Sequence, residues 1–227
     1  VVGTVKTISK TFVVGLVQLL VLGLLLFLPA GTFDYWQAWV LLVLAISTWI
    51  SGFYLLRADP ATLEGRTSGG PTAETRTTQK VAIGGLWLSL ATMLVVSALD
   101  HRFGWSPVPT AISLVGDALV AVGLAVPVLV VIQNSYAAAT VRVGPGQMLV
   151  STGLYGLVRH PMYTGNVIMM VGIPLALGSY WGLVFVVPGL IVLAWRIRDE
   201  EQLLQEKLDG YREYTQQVRY RLVPCIW

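Results

Sequence analysis

Two short clusters in this 227-residue sequence hold side chains able to do chemistry. The first runs from Gly153 to Gly165 and places Tyr155, Arg159, His160, Pro161 and Tyr163 between two apolar stretches. The second, Arg196-Ile197-Arg198-Asp199-Glu200-Glu201, follows the last apolar stretch. Pro161 has a fixed φ and no N–H, which suits the first position of a helix. A helix starting there turns free backbone N–H groups and a positive dipole end toward Arg159 and His160. That is a ready place for a carboxylate or a phosphate. If the intervening apolar segments fold back as a hairpin, the second cluster returns beside the first, and His160 becomes a neighbour of Glu201. The pair then offers cations to a carboxylate and anions to an ammonium, as an amino-acid head group requires. Each cluster alone has a plainer reading. Arg159 and the tyrosines would anchor a helix end at the lipid headgroups. Arg196 and Glu200, spaced i,i+4, would form a surface ion pair beside snorkelling arginines.

The elements that must position these clusters are membrane helices. Hydrophobic residues make up 55% of the chain and charged residues 12%, against about 25% charged in soluble domains. Mean hydropathy is +0.70. Apolar spans are expected over residues 11–29, 36–56, 81–99 and 110–132, each long enough to cross a bilayer. Residues 163–177 and 180–195 are shorter and read as a tight helical hairpin split at Gly178-Ser179. Residues 196–220 carry Leu204, Leu208, Tyr211 and Tyr214 at helical spacing and read as an amphipathic surface helix. The fold class expected is therefore all-α: a polytopic helical bundle of five to six transmembrane helices, the last two a short hairpin, plus a C-terminal amphipathic helix. It divides into 1–132, four spans, and 133–227, which carries both clusters. Residues 57–80 read as an exposed loop, and 133–158 as a mixed segment, neither linker nor span.

Charge distribution sets the expected orientation. The N-terminus, the 57–80 loop, the 133–162 segment and the tail from Arg196 hold fourteen of the fifteen Lys and Arg, and Arg102 stands alone on the other side. The positive-inside rule puts both termini and both clusters in the cytoplasm. The first apolar run is long enough to span and lacks a following cleavage site, so no cleavable signal is expected. Cys225, the single cysteine, excludes an internal disulfide or a Cys-based metal cluster. Two histidines leave little for a metal, and no metal site is expected. A basic balance in such a chain does not imply nucleic-acid binding, and no obligate protein partner is evident. No Gly-x-Gly-x-x-Gly follows a strand, which excludes a soluble dinucleotide-binding fold. Asp117, inside the fourth span, is a secondary candidate, since acids within a membrane are functional by default. Its place near the helix start also lets it reach the outer interface. His101 reads as a solvated loop residue.

From residue 134 onward the sequence resembles the isoprenylcysteine carboxyl methyltransferase family, part of a wider group of membrane methyltransferases that includes the phospholipid N-methyltransferases. The resemblance rests on four stretches, taken in order along the chain. They are Gly146 to Tyr155; Arg159-His160-Pro161-Met162-Tyr163 with Gly165; Arg196-Ile197 with Glu200-Glu201; and Tyr211, Tyr214 and the ending Val218 to Pro224. It implies an S-adenosyl-L-methionine site lined by Leu149, Val150, Gly153, Tyr155, Arg159, His160, Pro161, Tyr163 and Glu200. Arg196 and Glu201 would face the methyl-accepting end, as the catalytic pair. Gln147 stands where the eukaryotic enzymes are expected to carry His, and it can still hydrogen-bond the cofactor. The implied acceptor is lipophilic or lipidated and reaches the site from membrane lipid, with carboxyl O-methylation as the reaction. Amine N-methylation is the nearest alternative. Sterol reductases, which use NADPH, share an Arg-His-Pro-x-Tyr-x-Gly element and are a second one. A non-enzymatic membrane protein is a third.

Overall fold

The computed structural model describes residues 2–58, 74, 76–134 and 147–227, with side chains described over 12–48, 74, 76–134 and 147–227. The helices are α1 (Val2–Ala30), α2 (Trp36–Ala58), α3 (Thr77–Phe103), α4 (Thr110–Gln133), α5 (Pro161–Ala176), α6 (Val186–Lys207) and α7 (Tyr211–Gln217). Two 3-10 turns, Gly153–Gly156 and Trp181–Phe185, precede α5 and α6. There is no strand among the described residues. Four helices are long and apolar enough to cross a membrane, and the helices at Trp36–Thr48 and Pro161–Ala176 are shorter apolar ones. The chain is a polytopic helical membrane bundle, as its composition led us to expect.

Helices α1 to α4 fall where the four apolar runs put them, but the second arm of the hairpin, expected to be short, belongs to a 27-residue helical stretch, Trp181–Lys207, long and apolar enough to cross. The tail differs from expectation. Residues 196–220 are not a separate surface helix, because α6 continues from the bilayer through Lys207 without a break. The helix stops at 208–210, where Gly210 takes φ +78°, a left-handed conformation that glycine adopts at low cost. The face of this segment that carries Arg196, Ile197, Asp199, Glu201 and Leu203, and then Tyr211 and Tyr214, is buried. Most of the exposed loop expected over 57–80 lies outside the described residues. Within its end Glu74 and Gln79 are buried, while Thr77 and Lys80 are exposed.

Close approach of α4 and α5 fixes the hairpin against the rest. Gly116 and Gly123 on α4 face Gly165 and Gly172 on α5. A Cβ on Gly116 would lie 2.1 Å from Ala176 N, and one on Gly123 would lie 2.8 Å from Gly165 O. Lipid does not drive apolar helices together, so small residues that let backbones touch are how such pairs gain packing. The far end of the bundle is closed by polar side chains. Tyr35 OH donates to Leu177 O at 2.7 Å. Buried Asp100 accepts from Ser106 N at 2.7 Å, Ser106 Oγ at 2.6 Å and Ser179 Oγ at 2.5 Å. His101 is not merely solvated: its ring stacks on Tyr35 at 3.9 Å, and its Nε2 lies 3.1 Å from Asp34 O.

The glycine seam gives a direct test. Gly116→Ala should destabilise the purified protein by about 1–3 kcal/mol through overpacking. Gly23→Ala, where a Cβ meets nothing within 4 Å, should be neutral or stabilising by up to about 1 kcal/mol. Melting temperatures of the two variants in one detergent measure the contrast.

Candidate active site

The site is built at the end of the bundle where α4 and α6 finish and α3 and α5 begin. Pro161 occupies the first turn of α5, and His160 precedes it with no side-chain cap. The residues before that helix are tied down by the chain's own tail. Arg159 N donates to Tyr220 O and His160 N to Arg221 O, both at 2.9 Å. Thr164 Oγ1 donates to Leu222 O at 2.8 Å.

Glu201 is the centre of this arrangement and is 4% exposed. Its Oε1 accepts from Arg159 Nε at 2.7 Å and lies 3.3 Å from His160 Nε2. Its Oε2 accepts from Arg221 Nε at 2.8 Å. Arg159 also donates through Nη1 to the carbonyls of Val218 and Arg219 at 2.8 and 2.9 Å. One buried carboxylate thus joins the start of α5, the exit of α6 and the C-terminal segment. His160 and Glu201 are neighbours, as the hairpin argument requires.

A second chain of bonds runs beside the first. Tyr163 OH donates to Glu200 Oε2 at 2.6 Å and accepts from Arg196 Nε at 3.0 Å. Arg196 and Glu200 are therefore bridged by Tyr163 in place of the direct i,i+4 pair. Arg196 Nη2 donates to Glu74 Oε1 at 3.0 Å, and its Nη1 is buried with no hydrogen-bond partner. The base of α3 supports this group: Gln79 Nε2 donates to Asp199 Oδ2 at 2.5 Å and to Arg196 O at 3.2 Å. Arg76 pairs with Asp199 at 2.8 Å. The His160 and Tyr163 rings stack at 5.5 Å and link the two chains.

The segment before Pro161 forms the rim. Gly153 takes φ +60°, and a Cβ there would lie 2.6 Å from Gln133 Oε1, the atom that accepts from Leu154 N at 2.9 Å. Only glycine fits. Tyr155 O accepts from Tyr214 OH at 2.7 Å, and Tyr155 OH accepts from Asn134 Nδ2 at 3.1 Å. Gln147, Leu149 and Val150 are half-buried, and Leu149 approaches Gly210. Burial, with Glu201 nearby, pushes the Tyr211 and Tyr214 hydroxyls well above the usual phenol range, so both stay protonated donors. Tyr211 OH has no partner.

The sequence therefore brings His160, Tyr163, Glu200, Glu201, Arg159 and Arg196 together, with Tyr155 and Gly153 at the edge. The two expected catalytic residues have different neighbours. Glu201 is bound to Arg159, His160 and Arg221, whereas Arg196 is turned to Tyr163 and Glu74. Sequence reasoning missed Glu74, Arg76, Gln79 and Arg221 as parts of the network. Glu74 carried no signal, being one acid in a polar stretch. Arg76 and Gln79 stand three apart just ahead of an apolar run, a spacing that puts both on one face of the helix entry. Among the described residues no cluster of His, Cys, Asp and Glu has the makings of a metal site.

Residues 111–209 match the family model for phospholipid methyltransferase. That segment holds α4, α5 and α6 and most of the network around Glu201. The match supports a membrane methyltransferase. Delta(14)-sterol reductase TM7SF2 of Mus musculus is 33% identical over 91 residues, 39% of this chain. The chain spans 22% of that relative's length.

Glu201→Gln should loosen the tail before it affects anything else. Removing the charge leaves Arg159 and Arg221 uncompensated, at a cost of about 3–5 kcal/mol. Trypsin should then cut after Arg219 and Arg221 much faster than in the wild type. Equal cleavage rates would mean that Glu201 does not hold the tail.

Proposed function

We propose that the chain is an integral-membrane methyltransferase dependent on S-adenosyl-L-methionine, acting on the carboxylate of an isoprenylcysteine-like lipophilic acceptor. The observation that carries this reading is the unpartnered Nη1 of Arg196, on a side chain 5% exposed. A buried cationic donor without an acceptor is costly. A carboxylate presents two acceptors in a plane, which a guanidinium fork matches.

The residues also suit the cofactor's amino-acid end. The Tyr211 hydroxyl, on a side chain 3% exposed, is a second orphaned donor near Glu200 and Glu201. The Tyr211 donor with the carboxylate of Glu200 gives the mixed polarity that such a group needs and leaves Arg196 to the acceptor. S-adenosyl-L-methionine, when bound, supplies a methyl group already activated on a sulfonium. What remains for the protein is alignment and exclusion of water. In this reading His160, Tyr163 and Glu200 hold the cofactor. Gln147, Leu149, Val150, Gly153, Tyr155, Arg159 and Pro161 border it. Arg196 aligns the acceptor, which enters from the lipid.

A carboxylate attacks as an anion and needs no base, whereas an ammonium acceptor needs one. Glu201, the natural base, is committed to three cationic or imidazole partners, and this favours the carboxylate acceptor over the amine. A reductase using NADPH is the second reading, favoured by the identity with the sterol reductase. In both readings the Lys and Arg distribution supports a cytoplasmic site.

Calorimetry on the purified protein should show binding of S-adenosylhomocysteine and none of NADPH; the reverse result would establish the second reading. His160→Ala and Glu200→Ala should weaken that binding about ten- to over a hundredfold, the loss of one charge-assisted bond of roughly 1.5–3 kcal/mol. Arg196→Ala should cut methyl transfer while cofactor affinity stays near wild type, and Arg196→Lys should restore little.

Orientation is tested separately. The exposed native thiol of Cys225 should react with an impermeant maleimide only in inside-out vesicles. In a Cys225→Ser background, Trp105→Cys should react only in right-side-out ones. The opposite pattern would turn the molecule over.

A further inference from the structure

Arg196 is held from two sides. Its Nε donates to Tyr163 OH and its Nη2 to Glu74 Oε1, each at 3.0 Å, which leaves Nη1. The pair with Glu74 is dry, the two residues being 5% and 3% exposed. The residues that follow Glu74 fix its place. Arg76 pairs with Asp199 at 2.8 Å, and buried Gln79 donates to Asp199 Oδ2 and to Arg196 O. Arg196 and Asp199, three apart, share one face of α6. The approach to α3 thus lies on that face and sets a carboxylate against the guanidinium. Glu200 reaches the same guanidinium through the Tyr163 hydroxyl, so Glu74 is the carboxylate in direct contact.

A cation meant only to capture an anion gains nothing from a carboxylate already beside it. The chemistry of the transfer gives the pair a use. In carboxyl methylation an acceptor oxygen bonds to the methyl carbon as the carbon–sulfur bond breaks, its electron pair staying on sulfur. The acceptor's negative charge and the sulfonium's positive charge vanish together, leaving a neutral ester and a neutral thioether. A bare buried guanidinium would therefore hold the charged acceptor more strongly than the transition state, where that charge is partly gone. Only interactions that are stronger in the transition state speed the chemical step. A grip of the opposite kind slows it.

We propose that Glu74 is a positioning residue acting through Arg196: it tempers the guanidinium's charge, so that Nη1 aligns the acceptor carboxylate without over-stabilising it. This role rests on the carboxylate-acceptor reading above.

The probes are N-acetyl-S-farnesylcysteine and its methyl ester, the charged and uncharged forms of one acceptor. Each is titrated by calorimetry into the full chain saturated with S-adenosylhomocysteine. The wild type should bind the acid no more than about tenfold tighter than the ester. A larger gap shows an untempered cation and overturns the role of Glu74. Glu74→Gln should tighten the acid by about tenfold or more and leave the ester unchanged. In methyl transfer the same variant should lower KM and kcat together, a pairing that general loosening of the fold does not produce. Glu74→Asp, which keeps the charge, should return both toward wild type. Unchanged acid affinity in Glu74→Gln overturns the role. So does a lower KM with a higher kcat, which would make Glu74 an internal stand-in that the acceptor must displace. A wild type that binds S-adenosylhomocysteine but neither probe refutes the acceptor reading itself, and the role of Glu74 falls with it. The wild-type titrations need no substitution, so they decide even if Glu74→Gln does not fold.

Discussion

The ion cluster at Glu201 is the interaction on which the working end of this molecule depends. A carboxylate buried beside two guanidinium groups and an imidazole has given up its water, and it is stable only while all its partners stay in place. Those partners come from the start of α5 and from the tail. The cluster therefore does what a disulfide does in a secreted domain: it joins segments distant in sequence. It also sets the backbone before Pro161, since the peptide groups of Arg159 and His160 bond to the tail that Arg221 anchors.

The glycine seam between α4 and α5 serves the same end from inside the bilayer. Apolar helices slide past one another at little cost unless shape forbids it. Gly116 and Gly123 let α5 sit against backbone atoms of α4, where a slip along the axis would meet side chains. Gln133, at the end of α4, is then held at the height where its side chain receives Leu154 N. The seam and the Glu201 cluster fix α5 at two levels.

Much of this was legible in the sequence, for reasons that can be named. Long apolar runs have few alternatives in a membrane, so α1 to α4 are visible from composition alone. Pro161 marks a helix start because of what proline lacks. The hairpin brings His160 to Glu201 because two helices joined by a tight Gly-Ser turn must run antiparallel. Contacts made by side chains from elsewhere were not legible. Glu74 reaches Arg196 from a polar stretch that looks like any exposed loop, and Arg221 reaches Glu201 from the tail. The stop at Gly210 was also passed over, since the helical spacing of Leu204, Leu208, Tyr211 and Tyr214 persists across it. Periodicity continued where the backbone did not.

Helix α6 carries lipid-facing and site-forming residues on one rigid rod. Val187, Ile191 and Trp195 form an exposed apolar stripe, and Arg196, Glu200 and Glu201 follow with no break in the hydrogen-bonded backbone. The height of the site above the hydrocarbon is thus set by the helix and not by a hinge. A thinner or thicker bilayer tilts such a helix, and the charged groups must tilt with it. Membrane thickness becomes a mechanical input to the chemistry, transmitted along a single element.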